Sequence, residues 1–151
     1  MRRVVAGVAM VCMLVFGVVG FSVSKDSATD AEGLVKKAIA AYKGQGKEKA
    51  FAEIDDPNGR FKKGDLYVFV YDMAGTAVAR PVTKGLIGKN IIESKDPDGK
   101  FYVKERIDLV KTKGKGWQDY KFLNPTTNKY EDKTAYVEGY DGYVFGCGIY
   151  K

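Results

Sequence analysis

Histidine is absent from all 151 residues. Its absence removes the commonest general base, the usual zinc ligand and every Ser-His arrangement. Cysteine is almost as scarce, with only Cys12 and Cys147. Cys12 lies in the middle of an apolar run, whereas a lipid-attachment cysteine would come at its end. If that run is removed, Cys147 has no partner and no internal disulfide forms. The domain must then be held by its core alone, even in an oxidising compartment. Paired acids, Asp55-Asp56 and Glu131-Asp132, are neighbours at turns, and nothing sets them across a cleft. Catalysis, a metal centre and a cofactor are therefore not expected.

A block of one charge sign is also missing. The full chain carries +6, and without Arg2 and Arg3 it would carry +4. The lysines are dispersed, a pattern that serves solubility. Nucleic acid is not an expected partner.

What is present begins with a short basic start, Met1-Arg2-Arg3, then VVAGVAMVCMLVFGVVG, uncharged from Val4 to Gly20. Small residues follow at Ser22 and Ser24. This three-part layout predicts a secretory signal peptide over residues 1–24, cleaved after Ser24. The alternative is an uncleaved single-span anchor, since seventeen apolar residues just reach across a bilayer. Either way, residues 25–151 are expected to form one domain outside the cytoplasm, periplasmic or secreted, long enough for its own core.

Residues 25–56 read as helix. Leu34, Val35, Ala38, Ile39 and Tyr42 form one apolar stripe. Gly44 and Gly46 interrupt it, so either two helices or one bent helix is expected, ended by the turn DDPNG. The fragment GQGK reads as the kink and not as a phosphate loop, because no strand precedes it. DLYVFVYD and TAVARP then read as strands around a tight MAG turn. Val82 to Lys95 reads as loop. DPDG is expected to cap a helix rather than open a calcium loop, and Val103, Ile107 and Val110 continue at helical spacing. Three strands follow, GWQDYKF, KTAYVEGY and YVFGCGIY, the last two joined by the two-residue turn Asp141-Gly142. This order predicts an α+β domain: a five-stranded antiparallel sheet with a long N-terminal helix packed on it. Cys147, inside GCG, reads as a small buried residue.

The remaining signal is one of binding. Trp117 and Tyr120 supply flat apolar walls, and Arg80 and Lys133 supply positive charge at strand ends. A small anion needs an apolar surround and a few fixed donors. The competing reading is that the aromatics are core and the cations are solvated.

The runs LYVFVYDMAGTAVARP, LIGKNIIESKDPDGKFYVKE and GKGWQDYKFLNPTTNKYEDKTAYVEGYDGYVFGCGIYK together resemble the single Cache domain of the second type, over Leu34 to Lys151. The segment KAFAEIDDPNGRF fits that family's lead into the first strand. The resemblance implies a PAS-like extracytoplasmic sensor fold. It also implies a small ligand, often a short organic acid, held on the sheet beneath the covering loops and helix. Carried onto this sequence, the ligand positions are Arg80, Trp117, Tyr120, Lys133 and Tyr136, with Tyr102 on the covering helix. Arg80 stands where many relatives have histidine, and a permanent guanidinium should favour anions and reduce pH sensitivity. Side chains alternate along a strand, so Trp117 and Tyr120 cannot both face inward from a regular strand, nor can Lys133 and Tyr136. Tyr120 and Tyr136 are expected to face each other across a strand pair.

Family receptors continue into a membrane helix and an output domain, whereas this sequence ends at Lys151. The expectation is a stand-alone domain that binds a small carboxylate and serves a membrane receptor or kinase partner. The alternative is a ligand-free interaction module on the same fold.

Overall fold

The computed structural model describes residues 25–151. The expected signal peptide or anchor lies outside the described residues. Helix α1 runs Lys25–Gln45 and α2 runs Lys47–Asp55. Gly46, with φ of 87°, separates them in a conformation that glycine adopts without a Cβ clash. The strands are β1 Lys62–Lys63, β2 Leu66–Asp72, β3 Ala77–Ala79, β4 Lys115–Asn124, β5 Lys129–Tyr140 and β6 Tyr143–Tyr150. A 3-10 turn at Lys84–Leu86 and helix α3, Tyr102–Lys113, lie between β3 and β4. No helix among the described residues is long and apolar enough to cross a membrane.

The sheet is antiparallel, in the order β1-β2-β6-β5-β4, with β3 on the β1 side of β2. Five strands were expected, and the two-residue β1 is the sixth. The last strand, β6, sits between β2 and β5, so β4 is an edge. Asp141 and Gly142 both have positive φ, 49° and 75°, as a two-residue hairpin turn requires.

Both faces of the sheet are covered. Val68, Val70, Phe145 and Cys147 face α1 and α2 and join Val35, Ala38, Ile39 and Ile54 in one core. Tyr67, Phe69, Tyr71, Tyr120, Ala135 and Val137 face the other way and meet Tyr102, Val103, Ile107 and Val110 of α3. Residues Tyr67 to Tyr71 of β2 are therefore buried on both sides, which explains the continuous apolar run.

The DPDG turn departs from expectation. Phe101, not an aspartate, precedes α3, and no side chain caps the helix. Asp96 instead turns inward. Its carboxylate accepts from the backbone N–H groups of Asp98, Lys100 and Lys121 at 2.9–3.1 Å. Burial opposes its charge, but these three donors hold the Asp96 carboxyl below its usual range. The turn is thereby fastened to β4 beside Tyr120.

Candidate functional site

The α3-covered face of the sheet is where charge enters the core. Helix α3 places Tyr102, Val103, Arg106, Ile107 and Val110 on one stripe, and all five are buried. Arg106 is thus a cation on the apolar side of an amphipathic helix. It is 1% exposed. Its Nε donates to Gln118 Oε1 at 2.8 Å, and its Nη1 donates to Tyr71 Oη at 3.1 Å. Gln118 is oriented in turn by its own amide nitrogen, which donates to Tyr102 O and Glu105 Oε2. The guanidinium lies 4.1 Å from the ring centre of Tyr120, 4.8 Å from Phe69 and 5.1 Å from Tyr102. Such faces stabilise a cation. The other terminal nitrogen, Nη2, is buried without a hydrogen-bond partner.

Lys133 of β5 is 0% exposed, within the strand rather than at its end. Its Nζ donates to Tyr67 Oη at 3.2 Å and lies 4.2 Å from the ring centre of Tyr150 and 4.6 Å from that of Tyr67. Burial, followed by the positive charges of Arg106 and Arg80, brings its pKa down to about 7. Arg80, 2% exposed, follows β3. Its backbone N–H donates to Asp55 Oδ1 at 2.7 Å, and its Nε donates to Val82 O at 2.7 Å. Every ion pair among the described residues is at the surface, and none includes Arg80, Arg106 or Lys133.

Two glycines of β6 make room for these long side chains. A Cβ at Gly146 would come within 2.3 Å of the Phe69 ring, and one at Gly148 within 2.5 Å of Lys133 Cε. The GCG motif therefore leaves Cys147 on the face beneath α1 and α2 and a flat floor under Phe69 and Lys133 on the α3-covered face. A cleft of about 320 Å³ reaches Tyr120 and Lys133 from outside, and its mouth carries both charge signs: Asp96, Asp98, Asp119 and Asp132 with Lys100, Lys121 and Lys151. The Lys121–Asp98 and Lys151–Asp119 ion pairs, 3.0 and 2.9 Å, stand on its rim.

Of the six residues expected at the site, Arg80, Tyr102, Tyr120 and Lys133 are gathered on this face. Tyr102 and Tyr120 stack at 5.6 Å. Trp117 and Tyr136 are not there. Register decides this: Tyr120 pairs with Lys133, and Trp117 pairs with Tyr136, with no bulge between. Paired residues share a face, and three residues along a strand is an odd step. Tyr136 accordingly joins the core beneath α1, and its hydroxyl donates to Glu138 Oε2 at 2.7 Å. Trp117, 39% exposed, lies against it at 5.5 Å. The expectation that Tyr120 and Tyr136 face each other is therefore corrected. Sequence reasoning also missed Arg106 and Gln118. The available signal was Arg106 falling between Val103 and Val110 on the apolar stripe.

The comparisons agree with this architecture. Residues 25–151 match the family described as Single Cache domain 2. A methyl-accepting chemotaxis protein from Vibrio parahaemolyticus has a solved structure that is 27% identical, with a TM-score of 0.71, covering 83% of this chain and 88% of that one. A second solved structure concerns carboxylic acid recognition by a Cache chemosensory domain. It is 26% identical, with a TM-score of 0.66, covering 83% of this chain and 88% of that one. The sensor histidine kinase MctS of Rhizobium johnstonii is 35% identical over 88 residues, which are 57% of this chain and 19% of the kinase. This chain therefore corresponds to a small part of that protein. From its helix-backed antiparallel sheet to its match over residues 25–151, the chain belongs to the single Cache domain 2 family, extracytoplasmic sensor domains of chemoreceptors and histidine kinases.

Proposed function

We propose that the chain is an exported sensor domain that binds a short organic acid on the α3-covered face and presents the bound state to a membrane receptor or kinase. The observation behind this reading is three buried basic side chains, Arg80, Arg106 and Lys133, with no carboxylate among the described residues ion-paired to any of them. Burying an unpaired charge costs several kcal/mol, so a fold selected for stability alone would place apolar residues there. A ligand carboxylate would supply the missing countercharge and take a hydrogen bond from Arg106 Nη2. Tyr67, Tyr71 and Tyr120 add hydroxyl groups, and the aromatic rings exclude water. The solved relative concerned with carboxylic acid recognition supports the ligand class. No step of catalysis is required, and the absence of histidine is consistent with a binding role.

The test is a thermal-shift and calorimetric screen of the protein from Lys25 onward, which contains both cores and the whole family match. Acetate, propionate, lactate, pyruvate and succinate would be compared with an amino acid and a polyamine. An acid at one hundred times its dissociation constant should stabilise the fold by about 2.7 kcal/mol. Stabilisation by acids and not by the polyamine is the expected result. No shift with any acid would remove this reading in favour of a ligand-free interaction module.

A further inference from the structure

We propose that anion binding on the α3-covered face is coupled to the uptake of one proton by Lys133. The inference rests on the assignment of that face as a carboxylate site, and it adds a property that Arg80 and Arg106 cannot supply. Guanidinium groups stay charged at every physiological pH. A buried amine does not.

The surroundings of Lys133 decide its charge. From β2 it faces Tyr67, from β4 Tyr120 and Phe122, and from β6 Gly148 and Tyr150, while Cys147 acts on it only from the opposite face of the sheet. Arg80 after β3 and Arg106 of α3 add positive potential, and Asp65 before β2 adds a negative one. Along β5 itself, the adjacent Asp132 points to the other face by strand alternation, and it lines the outer cleft with Asp96, Asp98 and Asp119, none of them ion-paired to Lys133 among the described residues. Among the described residues, the only hydrogen bond from Nζ goes to a neutral tyrosine hydroxyl. Desolvation and two neighbouring guanidinium groups thus act together against the proton, and no ion pair opposes them. With its pKa brought down to about 7, the empty site holds a mixture of amine and ammonium at neutral pH.

None of the neighbours can confuse the measurement. Burial raises the pKa of Tyr67, Tyr120 and Tyr150 well above their ordinary value, and that of Cys147 to about 12. There is no histidine in the chain. Short carboxylic acids, with pKa values of about 4, are already ionised above about pH 6. Between about pH 6 and about pH 9, Lys133 is therefore the titrating group of the site.

The linkage has a definite sign. A carboxylate placed beside Nζ favours the ammonium and raises its pKa, so binding above neutrality draws a proton from solution. Affinity is then flat below about pH 7 and falls by up to about tenfold per pH unit above it. In that range occupancy follows the product of anion and proton concentrations. That product is proportional to the concentration of the undissociated acid. On this reading, pH sensitivity lies with Lys133 of β5 rather than with the side chain at position 80, with two strands, β2 and β6, between them.

The experiment is calorimetric titration of the protein from Lys25 onward with propionate and with pyruvate, from about pH 6 to about pH 9, in buffers of differing ionisation enthalpy. The buffer dependence counts protons taken up per anion bound. The expected result is close to one proton at about pH 8, with affinity declining as above. Lys133→Arg should bind with nearly level affinity over the same range, because its charge is permanent. If that variant fails to fold, the proton count on the unmodified protein still decides. Binding with level affinity and no proton uptake would overturn the coupling while leaving the carboxylate site intact. A pH slope that persists in Lys133→Arg would assign the proton to another group and also overturn it. Absence of binding by both acids at every pH would remove the site assignment, and the coupling with it.

Discussion

The two faces of this sheet are buried to a similar degree and built by opposite rules. The face beneath α1 and α2 is made of Val35, Ala38, Ile54, Val68, Val70, Phe145 and Cys147. The face beneath α3 holds four tyrosines, Tyr67, Tyr71, Tyr102 and Tyr120, around Arg80, Arg106 and Lys133. The first face needs only to fill space at low desolvation cost. The second retains charge that apolar residues of similar volume would replace at a gain in stability. One sheet thus separates the work of holding the fold from the proposed work of reading a ligand, and β2 serves both faces by alternation.

Substitutions should break that division in a definite order. Phe145→Ala, which removes a fully buried ring packed against Tyr42 and Phe51, should cost about 3–5 kcal/mol in urea denaturation. The fraction that remains folded should bind acids unchanged, since the ring faces away from the cations. Arg106→Met should do the reverse. Its acid affinity by calorimetry should fall by about two to five kcal/mol, and its melting temperature should hold or rise.

A pH series sharpens the comparison further. Lys133 has a lower pKa folded than unfolded, so the unfolded chain binds the extra proton between about pH 7 and about pH 10. Stability from this group is fully present above the unfolded value and is lost as pH falls through about 7. The ligand-free protein should therefore gain up to about 1.4 kcal/mol per pH unit across that window, read by chemical denaturation. Lys133→Met should abolish that gain. The smallest effect is expected at Trp117, which is on the Tyr136 side of the sheet, away from the cations, and partly exposed. Trp117→Ala should change stability by about 1 kcal/mol or less and leave acid affinity unaltered. A large loss of affinity there would mean that the two faces communicate.

Much of the architecture was legible along the chain because it rests on local chemistry. The stripe from Leu34 to Tyr42 marked α1, the glycine at position 46 marked its break, and Asp141-Gly142 marked the β5–β6 hairpin. DPDG misled because an aspartate before a helix resembles a cap. Only the nearness of β4 shows that Asp96 is bonded to Lys121. At the site, aromatic and basic residues could be counted but not assigned a direction. Arg106 went unnoticed because a charged residue on a helix is ordinarily solvated, and only its neighbours reveal otherwise.

The sequence by itself determined the elements, their antiparallel hairpins and the family pattern, because periodicity, turn chemistry and composition act over short stretches of chain. It also excluded histidine chemistry outright. Tertiary structure alone decided which residues share a face. The register of β4 on β5 sends Tyr120 and Lys133 one way and Trp117 and Tyr136 the other. It is the closure of α3 over the sheet that makes Arg106 a buried charge and not a surface one, because desolvation depends on what surrounds a group and not on its place in the chain.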